Sequence, residues 1–254
     1  MEGPFDLDGK IALVIGGGRG IGEAIATTLA KQGAEVVVTS RRAGGCAKVV
    51  EEIRGAGGTA EEVECHLGEP DQIKQTIDTI VNEKGRLDVV VNNGATNPYF
   101  GPAVDTDIGA LQKTIDVNIR GVFLSTAHAA KKMGAAGGGS IINVASISAI
   151  VPGPLQGIYS VTKAAIVSIT KVFAAECGPM GVRVNAVLPG ITDTKFAAAL
   201  VSDDAMLQQY LPRVPLGRVA APSEMAGAVA YLASDAASYT TGSVMVVDGG
   251  FLVR

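Results

Sequence analysis

Short runs rich in β-branched residues alternate with longer amphipathic stretches along the chain, and this rhythm constrains the fold more than any other feature. Candidate strands are Ile11–Ile15, Val36–Thr39, Glu61–Glu64, Leu87–Val91, Ser140–Ala145, Val182–Leu188 and Ser243–Val247. Helical stretches lie between them at Gly20–Lys31, Ala43–Arg54, Asp71–Lys84, Leu111–Lys132, Tyr159–Cys177 and Ser223–Leu232. Leu87-Asp88-Val89-Val90-Val91 is almost continuously apolar, as a strand buried on both faces is. Strand–helix alternation of this kind implies right-handed crossovers and a doubly wound α/β fold, with seven parallel strands and helices on both faces. No Pro/Ser-rich linker and no internal repeat interrupts it, so residues 1–254 read as one domain. Ile191–Leu216 alone breaks the rhythm. A connection that long is usually functional, and we read it as a helical lid carrying Phe196, Leu200, Met206 and Leu207.

Composition removes several classes of function. Apolar residues make up 47% of the chain and the formal charge is −4, which excludes disorder. No apolar run is read as approaching the ~18–20 residues of a membrane-spanning helix. Met1–Lys10 lacks the basic-then-apolar order of a signal peptide, and a cytoplasmic protein is expected. Cys46, Cys65 and Cys177 are odd in number and widely spaced, which argues against a disulfide framework. His66 and His128 are too scattered for a zinc site. Mild acidity disfavours nucleic acid as a partner.

The 33 glycines cluster after apolar runs. The first strand ends in Gly16-Gly17-Gly18-Arg19-Gly20-Ile21-Gly22, where Gly16, Gly20 and Gly22 are spaced G-x-x-x-G-x-G. Residues without a Cβ there let the backbone approach a pyrophosphate, and the following helix supplies free N–H groups and its positive dipole end. The bland alternative is a turn that only packs helix on strand. An NAD site places an acidic residue about 20 residues on, at the ribose hydroxyls. Here the segment is Thr39-Ser40-Arg41-Arg42. With Arg19 in the loop, these cations suit a 2′-phosphate and hence NADP(H). The competing reading of Arg41 and Arg42 is a solvated helix entry.

Tyr159-Ser160-Val161-Thr162-Lys163 opens a helix, and residues i and i+4 share a face. An ammonium beside a phenol is expected to lower its pKa from about 10 and yield an acid/base usable near neutrality. Alone, such a pair is common and is better explained by an exposed amphipathic turn. Ser146 ends the fifth strand, where parallel-sheet ligand sites lie, and is placed to hydrogen-bond a substrate oxygen; a turn hydroxyl is the bland alternative. Asn92-Asn93-Gly94-Ala95 ends the fourth strand. Asn118, polar within an apolar stretch, is placed to bind a carbonyl or water. Pro189-Gly190-Ile191-Thr192-Asp193-Thr194 ends the sixth strand, with backbone and hydroxyls available to a carboxamide.

In this order the motifs resemble the short-chain dehydrogenase/reductase family, with its Rossmann-type fold, over Lys10 to about Gly250. The glycine loop, Asn92-Asn93, Asn118, Ser146, Tyr159 with Lys163, Pro189-Gly190 and Asp248-Gly249-Gly250 carry the resemblance. It implies that Tyr159 is the acid/base, that Lys163 lowers its pKa and holds the nicotinamide ribose, that Ser146 orients the carbonyl and that Asn118 anchors a relay water. It further implies NADP(H) contacts at Gly16, Gly18, Arg19, Gly20, Ile21, Ser40, Arg41, Arg42, His66, Leu67, Asn93, Gly94, Tyr159, Lys163, Pro189, Gly190, Thr192 and Thr194, and assembly as a homotetramer. The chain departs from the family pattern in three places. Ile15 replaces a loop-bracing Thr, Gly94-Ala95 replaces Ala-Gly, and His66 replaces an Asp at adenine. Cys65-His66-Leu67-Gly68 and Asn97-Pro98-Tyr99-Phe100-Gly101 are similar to the NADP-dependent carbonyl/retinol reductase branch.

The expected function is NADP(H)-dependent interconversion of a lipophilic ketone and a secondary alcohol, with no metal. The pattern also resembles 3-oxoacyl-thioester reductases acting on acyl carrier protein or CoA substrates. Acidic Val104-Asp105-Thr106-Asp107 sits poorly with the basic docking patch such a partner needs. A cofactor-sensing binding protein is the non-enzyme alternative; the presence of both Tyr159 and Lys163 speaks against it.

Overall fold

A parallel sheet must bury both faces, and the apolar runs do so here. In the computed structural model, which describes residues 3–197, 207–208 and 210–253, Ile11–Ile15 (β1) is wholly buried. It pairs with Glu35–Ser40 (β2) on one side and Val89–Asn92 (β4) on the other. Thr59–Glu64 (β3) flanks β2. Gly139–Val144 (β5), Val182–Pro189 (β6) and Val244–Val247 (β7) follow β4, giving the order β3-β2-β1-β4-β5-β6-β7, every pair parallel.

Side chains along a strand alternate between faces, and β1 shows the result. Leu13 and Ile15 enter one core with Ile73, Ile77, Ile141, Ile166 and Phe173. Ala12 and Val14 enter the other with Ile25, Leu29, Val49, Ile142 and Val229. The first core is roofed by Pro70–Lys84 (α3), Val122–Ala135 (α5) and Gly157–Cys177 (α6), while Ile108–Ile115 (α4) packs against α6. The second is roofed by Gly20–Lys31 (α1), Ala47–Gly55 (α2) and Ser223–Ala233 (α7). Strand order reverses between β1 and β4, which opens a crevice at their carboxyl ends.

Three expectations are corrected. The second helix begins at Ala47, not Ala43; Gly44 adopts φ +75, which holds Arg41–Cys46 in a turn. The expected helix Leu111–Lys132 is α4 and α5 joined by a π segment, Asp116–Gly121. There the backbone crosses Leu67 so closely that a Cβ on Gly121 would run into the Leu67 carbonyl. Finally, Gly157–Met180 is long and apolar enough to cross a membrane by length and composition alone. Half of that stretch is buried inside the fold, with Ile166, Ile169, Phe173 and Ala174 facing the sheet core.

A buried polar network ties α6 to the sheet. Asn92 and Asn143 are register partners on β4 and β5. Asn92 Nδ2 donates to Asn143 Oδ1 (2.9 Å), Ser125 Oγ donates to Asn92 Oδ1 (2.7 Å), and Asn143 Nδ2 donates to Thr170 Oγ1 on α6 (3.0 Å). Leaving such groups unpaired costs about 1–3 kcal/mol. Asn143→Leu is therefore expected to lower the unfolding free energy by about that amount, read from urea midpoints; an unchanged midpoint would show that the network does not stabilise.

Candidate active site

The glycine cradle is built where β1 enters α1. Gly16 N and Gly17 N both donate to the Thr39 carbonyl at the end of β2 (3.0 Å each). Gly16 has φ +81, and a Cβ on it would come 2.7 Å from Gly94 Cα. Asn93 Nδ2 donates to the Gly16 carbonyl (2.8 Å). The N-cap of α1, Arg19, offers no side-chain cap, so the first-turn N–H groups stay open. A Cβ on Gly20 would meet Thr194 Cγ2 at 3.2 Å, which brings the end of β6 against the cradle. A backbone this bare, with open N–H groups, fits the pyrophosphate of a dinucleotide.

Around the cradle, Arg19, Arg41 and Arg42 are exposed. Ser40 Oγ donates to the Arg42 carbonyl (2.6 Å) and folds the turn over itself. His66 Nδ1 accepts from Gly68 N (2.9 Å), so the neutral ring carries its proton on Nε2. Leu67 is buried beside Gly94. Gly190 packs on the backbone of Asp248, and the Thr192 hydroxyl donates to the Gly190 carbonyl (3.0 Å).

Beside the cradle lie the groups that move protons. Tyr159 and Lys163 occupy the first two turns of α6 and are 8% and 2% exposed. Lys163 Nζ donates to the Val144 carbonyl (2.9 Å) and lies 5.5 Å from the centre of the Tyr159 ring. The Ser146 hydroxyl stands beside Tyr159 and accepts from Ser148 N (3.1 Å). Phe196, at the start of the expected lid, covers Tyr159 with ring centres 5.7 Å apart. Leu200 and Met206 lie outside the described residues; Leu207 and Gln208 are helical, and Leu211–Arg213 is a 3-10 turn.

One expectation about these groups is revised, and one group takes a part that the sequence did not show. Burial pushes the Tyr159 phenol above its ordinary pKa, against the lowering expected from Lys163, and the neighbouring Ser146 hydroxyl pulls it only partly back. Burial also pushes Lys163 down to about 7, so the cation that was to stabilise a phenolate is itself destabilised. The Asn118 amide is fully engaged. Its Oδ1 accepts from Thr96 N (2.9 Å), and its Nδ2 donates to the Thr96 carbonyl (2.9 Å) and to Thr162 Oγ1 (3.1 Å). Thr162 Oγ1 in turn donates to the Tyr159 carbonyl (2.8 Å). The Asn118 side chain thus braces the tyrosine's helix. The sequence places the Thr96–Phe100 segment at the site but does not show that Thr96 and Thr162 are braced by Asn118, although Thr162 stands three residues after Tyr159, on its helical face.

The fold and this arrangement define a class: a doubly wound α/β protein with a glycine cradle at its switch point and a Ser–Tyr–Lys cluster beside it. The family described as "Enoyl-(Acyl carrier protein) reductase" matches residues 16–252. Dehydrogenase/reductase SDR family member 4 of Bos taurus is 38% identical over 246 residues, 97% of this chain and 88% of its own length. L-rhamnose 1-dehydrogenase (NAD(P)(+)) of Azotobacter vinelandii is 39% identical over 250 residues, 96% of this chain and 97% of its own. A gluconate 5-dehydrogenase from Burkholderia cenocepacia, solved with NADP and tartrate, superposes with a TM-score of 0.95 at 32% identity, covering 99% of this chain and 98% of that one. The chain belongs to the short-chain dehydrogenase/reductase family and is an oxidoreductase of that type, a family that uses nicotinamide cofactors.

The lysine shift has a thermodynamic consequence. An unfolded lysine titrates near 10.4, whereas buried Lys163 titrates near 7. Between these values the unfolded chain binds a proton that the folded one lacks, so stability rises with pH. In cofactor-free protein, urea midpoints are expected to climb from about pH 7 to about 8, short of the range in which unfolded thiols ionise while buried Cys46, Cys65 and Cys177 keep their protons. In Lys163→Met that slope should flatten. An equal slope in both proteins would remove Lys163 as its source.

Proposed function

We propose that the protein is an NADP(H)-dependent oxidoreductase that interconverts a lipophilic ketone and the corresponding secondary alcohol. The observation that carries this reading is the Ser146–Tyr159–Lys163 cluster beside a backbone cradle with no Cβ. Gly16, Gly18, Gly20 and Ile21 would hold the pyrophosphate, with Arg19, Ser40, Arg41 and Arg42 at the 2′-phosphate. His66 and Leu67 would flank adenine, and Asn93 and Gly94 its ribose side. Tyr159 and Lys163 would meet the nicotinamide ribose, with Pro189, Gly190, Thr192 and Thr194 at the carboxamide. When bound, the nicotinamide supplies or takes up the hydride.

The chain's own groups handle the proton. Tyr159 Oη gives a proton to the substrate oxygen in reduction and takes it back in oxidation. Ser146 orients that oxygen. The buried ammonium of Lys163 supplies positive charge next to the phenol when protonated, and negative charge brought near by a bound cofactor favours that protonated form. Asn118 holds Thr96 and Thr162, and through them the first turn of α6, in place. Exposed Phe100, Ile150, Val151, Leu155 and Phe196 stand on loops at the carboxyl edge and support an apolar pocket. Two observations favour other substrates. The family description names an acyl carrier protein reductase, and two relatives are named for sugars or sugar acids.

Initial rates with NADPH and NADH against cyclic ketones, 3-oxoacyl thioesters and sugar acids test this reading. NADPH with the apolar ketones is the expected preference. Higher efficiency with NADH defeats the cofactor assignment, and preference for a sugar acid or a thioester defeats the pocket assignment. Tyr159→Phe should cut turnover by ~100–10,000-fold, the usual contribution of general acid–base catalysis, with NADPH affinity retained. Near-wild-type turnover in that variant would remove the mechanism.

A homotetramer is part of the same proposal. β7 pairs with β6 alone and leaves Val246 exposed, an edge that chains of this kind cover. Light scattering at micromolar protein should give four times the chain mass; a monomer would refute it.

A further inference from the structure

Arg41 and Arg42 stand on a turn, and among the described residues neither guanidinium forms an ion pair. The turn is fixed through its backbone instead. At its near end the Arg42 carbonyl accepts from Ser40 Oγ (2.6 Å) and from Gly45 N (3.2 Å). At its far end Cys46 N donates to Oε1 of Glu62 (2.9 Å), a carboxylate on β3. Glu62 is half-buried and, among the described residues, has no basic partner within ion-pair distance. The turn also rests on the cradle. A Cβ on Gly18 would run into the Gly45 carbonyl and come 3.1 Å from Cys46 Sγ. Arginine turn, cradle wall and Glu62 are therefore one contiguous packed unit.

An acidic side chain next to a phosphate-reading turn opposes the phosphate by simple Coulomb repulsion. Its hydrogen bond gives it a compensating role, because a carboxylate accepting a backbone N–H makes one of the stronger protein hydrogen bonds. We propose that Glu62 is a positioning residue for cofactor choice: it locks the Arg41–Cys46 turn through the Cys46 amide and so presents Arg41 and Arg42 to the 2′-phosphate. This inference rests on the NADP(H) reading above. A cofactor without the 2′-phosphate makes no use of the presented arginines, so the lock acts on NADPH and leaves NADH nearly unaffected. Buried Cys46, whose thiol is pushed up to about 11 by desolvation, is a built-in reporter: it becomes alkylatable when the turn opens.

The test is cofactor affinity rather than turnover. NADPH and NADH dissociation constants are measured by fluorescence titration, with Cys46 alkylation followed by peptide mapping, in wild type, Glu62→Val, Glu62→Ala, Glu62→Gln and Arg41→Asp. Valine suits the strand, and alanine is a second truncation should valine fail to fold. Truncation should weaken NADPH about tenfold, the scale of one lost charge-assisted contact, leave NADH within about twofold and speed Cys46 labelling. Glu62→Gln keeps an acceptor oxygen, though without its charge, and should stay closer to wild type than to the truncations on all three. An unchanged NADPH-to-NADH ratio in the truncations, equal losses on both cofactors, or a Gln variant as impaired as the truncations overturns the inference. The parent reading is judged separately. Tighter NADH than NADPH in wild type, or an Arg41→Asp variant with wild-type NADPH affinity, defeats the NADP(H) assignment. A wild-type preference for NADPH with insensitive truncations defeats only the role of Glu62.

Discussion

Parallel strands cannot be joined by tight turns, and the rest of this structure depends on that constraint. Each strand must be followed by a crossover through a helix or long loop, so every carboxyl end emerges at the same edge of the sheet. The cradle after β1, the arginine turn after β2, Asn93 after β4, Ser146 after β5 and Thr192 after β6 are far apart in sequence, yet that rule alone makes them neighbours. The site is thus a by-product of connectivity, which side chains then refine.

The refinement is mostly the removal of atoms and the satisfaction of polar groups. At Gly16, Gly18 and Gly121 the backbone comes so close to another backbone or side chain that no Cβ fits; the first two contacts join loops of the crevice, and the third joins a loop to the π segment. Where side chains are kept, they are spent internally: Asn118 on Thr96 and Thr162, Asn143 on Asn92 and Thr170. Lys163 is the exception. Its ammonium is desolvated with a single carbonyl as partner, a strain of the kind stored at functional sites.

Much of this was legible beforehand, for physical reasons. Strand positions followed from β-branched periodicity, and β1 and α1 matched to the residue because a glycine run marks their junction. Ser146, Tyr159 and Lys163 were legible because strand ends and the i, i+4 rule place them together. What could not be read was tertiary. No local pattern shows that Gly121 would press on Leu67, so the π segment was taken as ordinary helix. The direction of the Tyr159 shift depends on how deeply Phe196 and the sheet bury the phenol, and spacing carries no depth. Glu62 was invisible because its partner is a backbone amide on another strand's loop, and backbone partners leave no trace in residue identity.

The π segment also limits how this chain can change. A π turn closes its hydrogen bonds five residues back instead of four, so Asp116–Gly121 holds more chain than a straight helix would. Removing one residue there would take out that surplus and let the segment close as ordinary α-helix, with α4 and α5 kept nearly in register. Phe123 would keep its place at the edge of Phe173, where its ring rests 5.0 Å away, but the side chains of the segment itself would be re-aimed, Asn118 among them, away from Thr162. The surplus residue is thus what points Asn118 at the helix it braces.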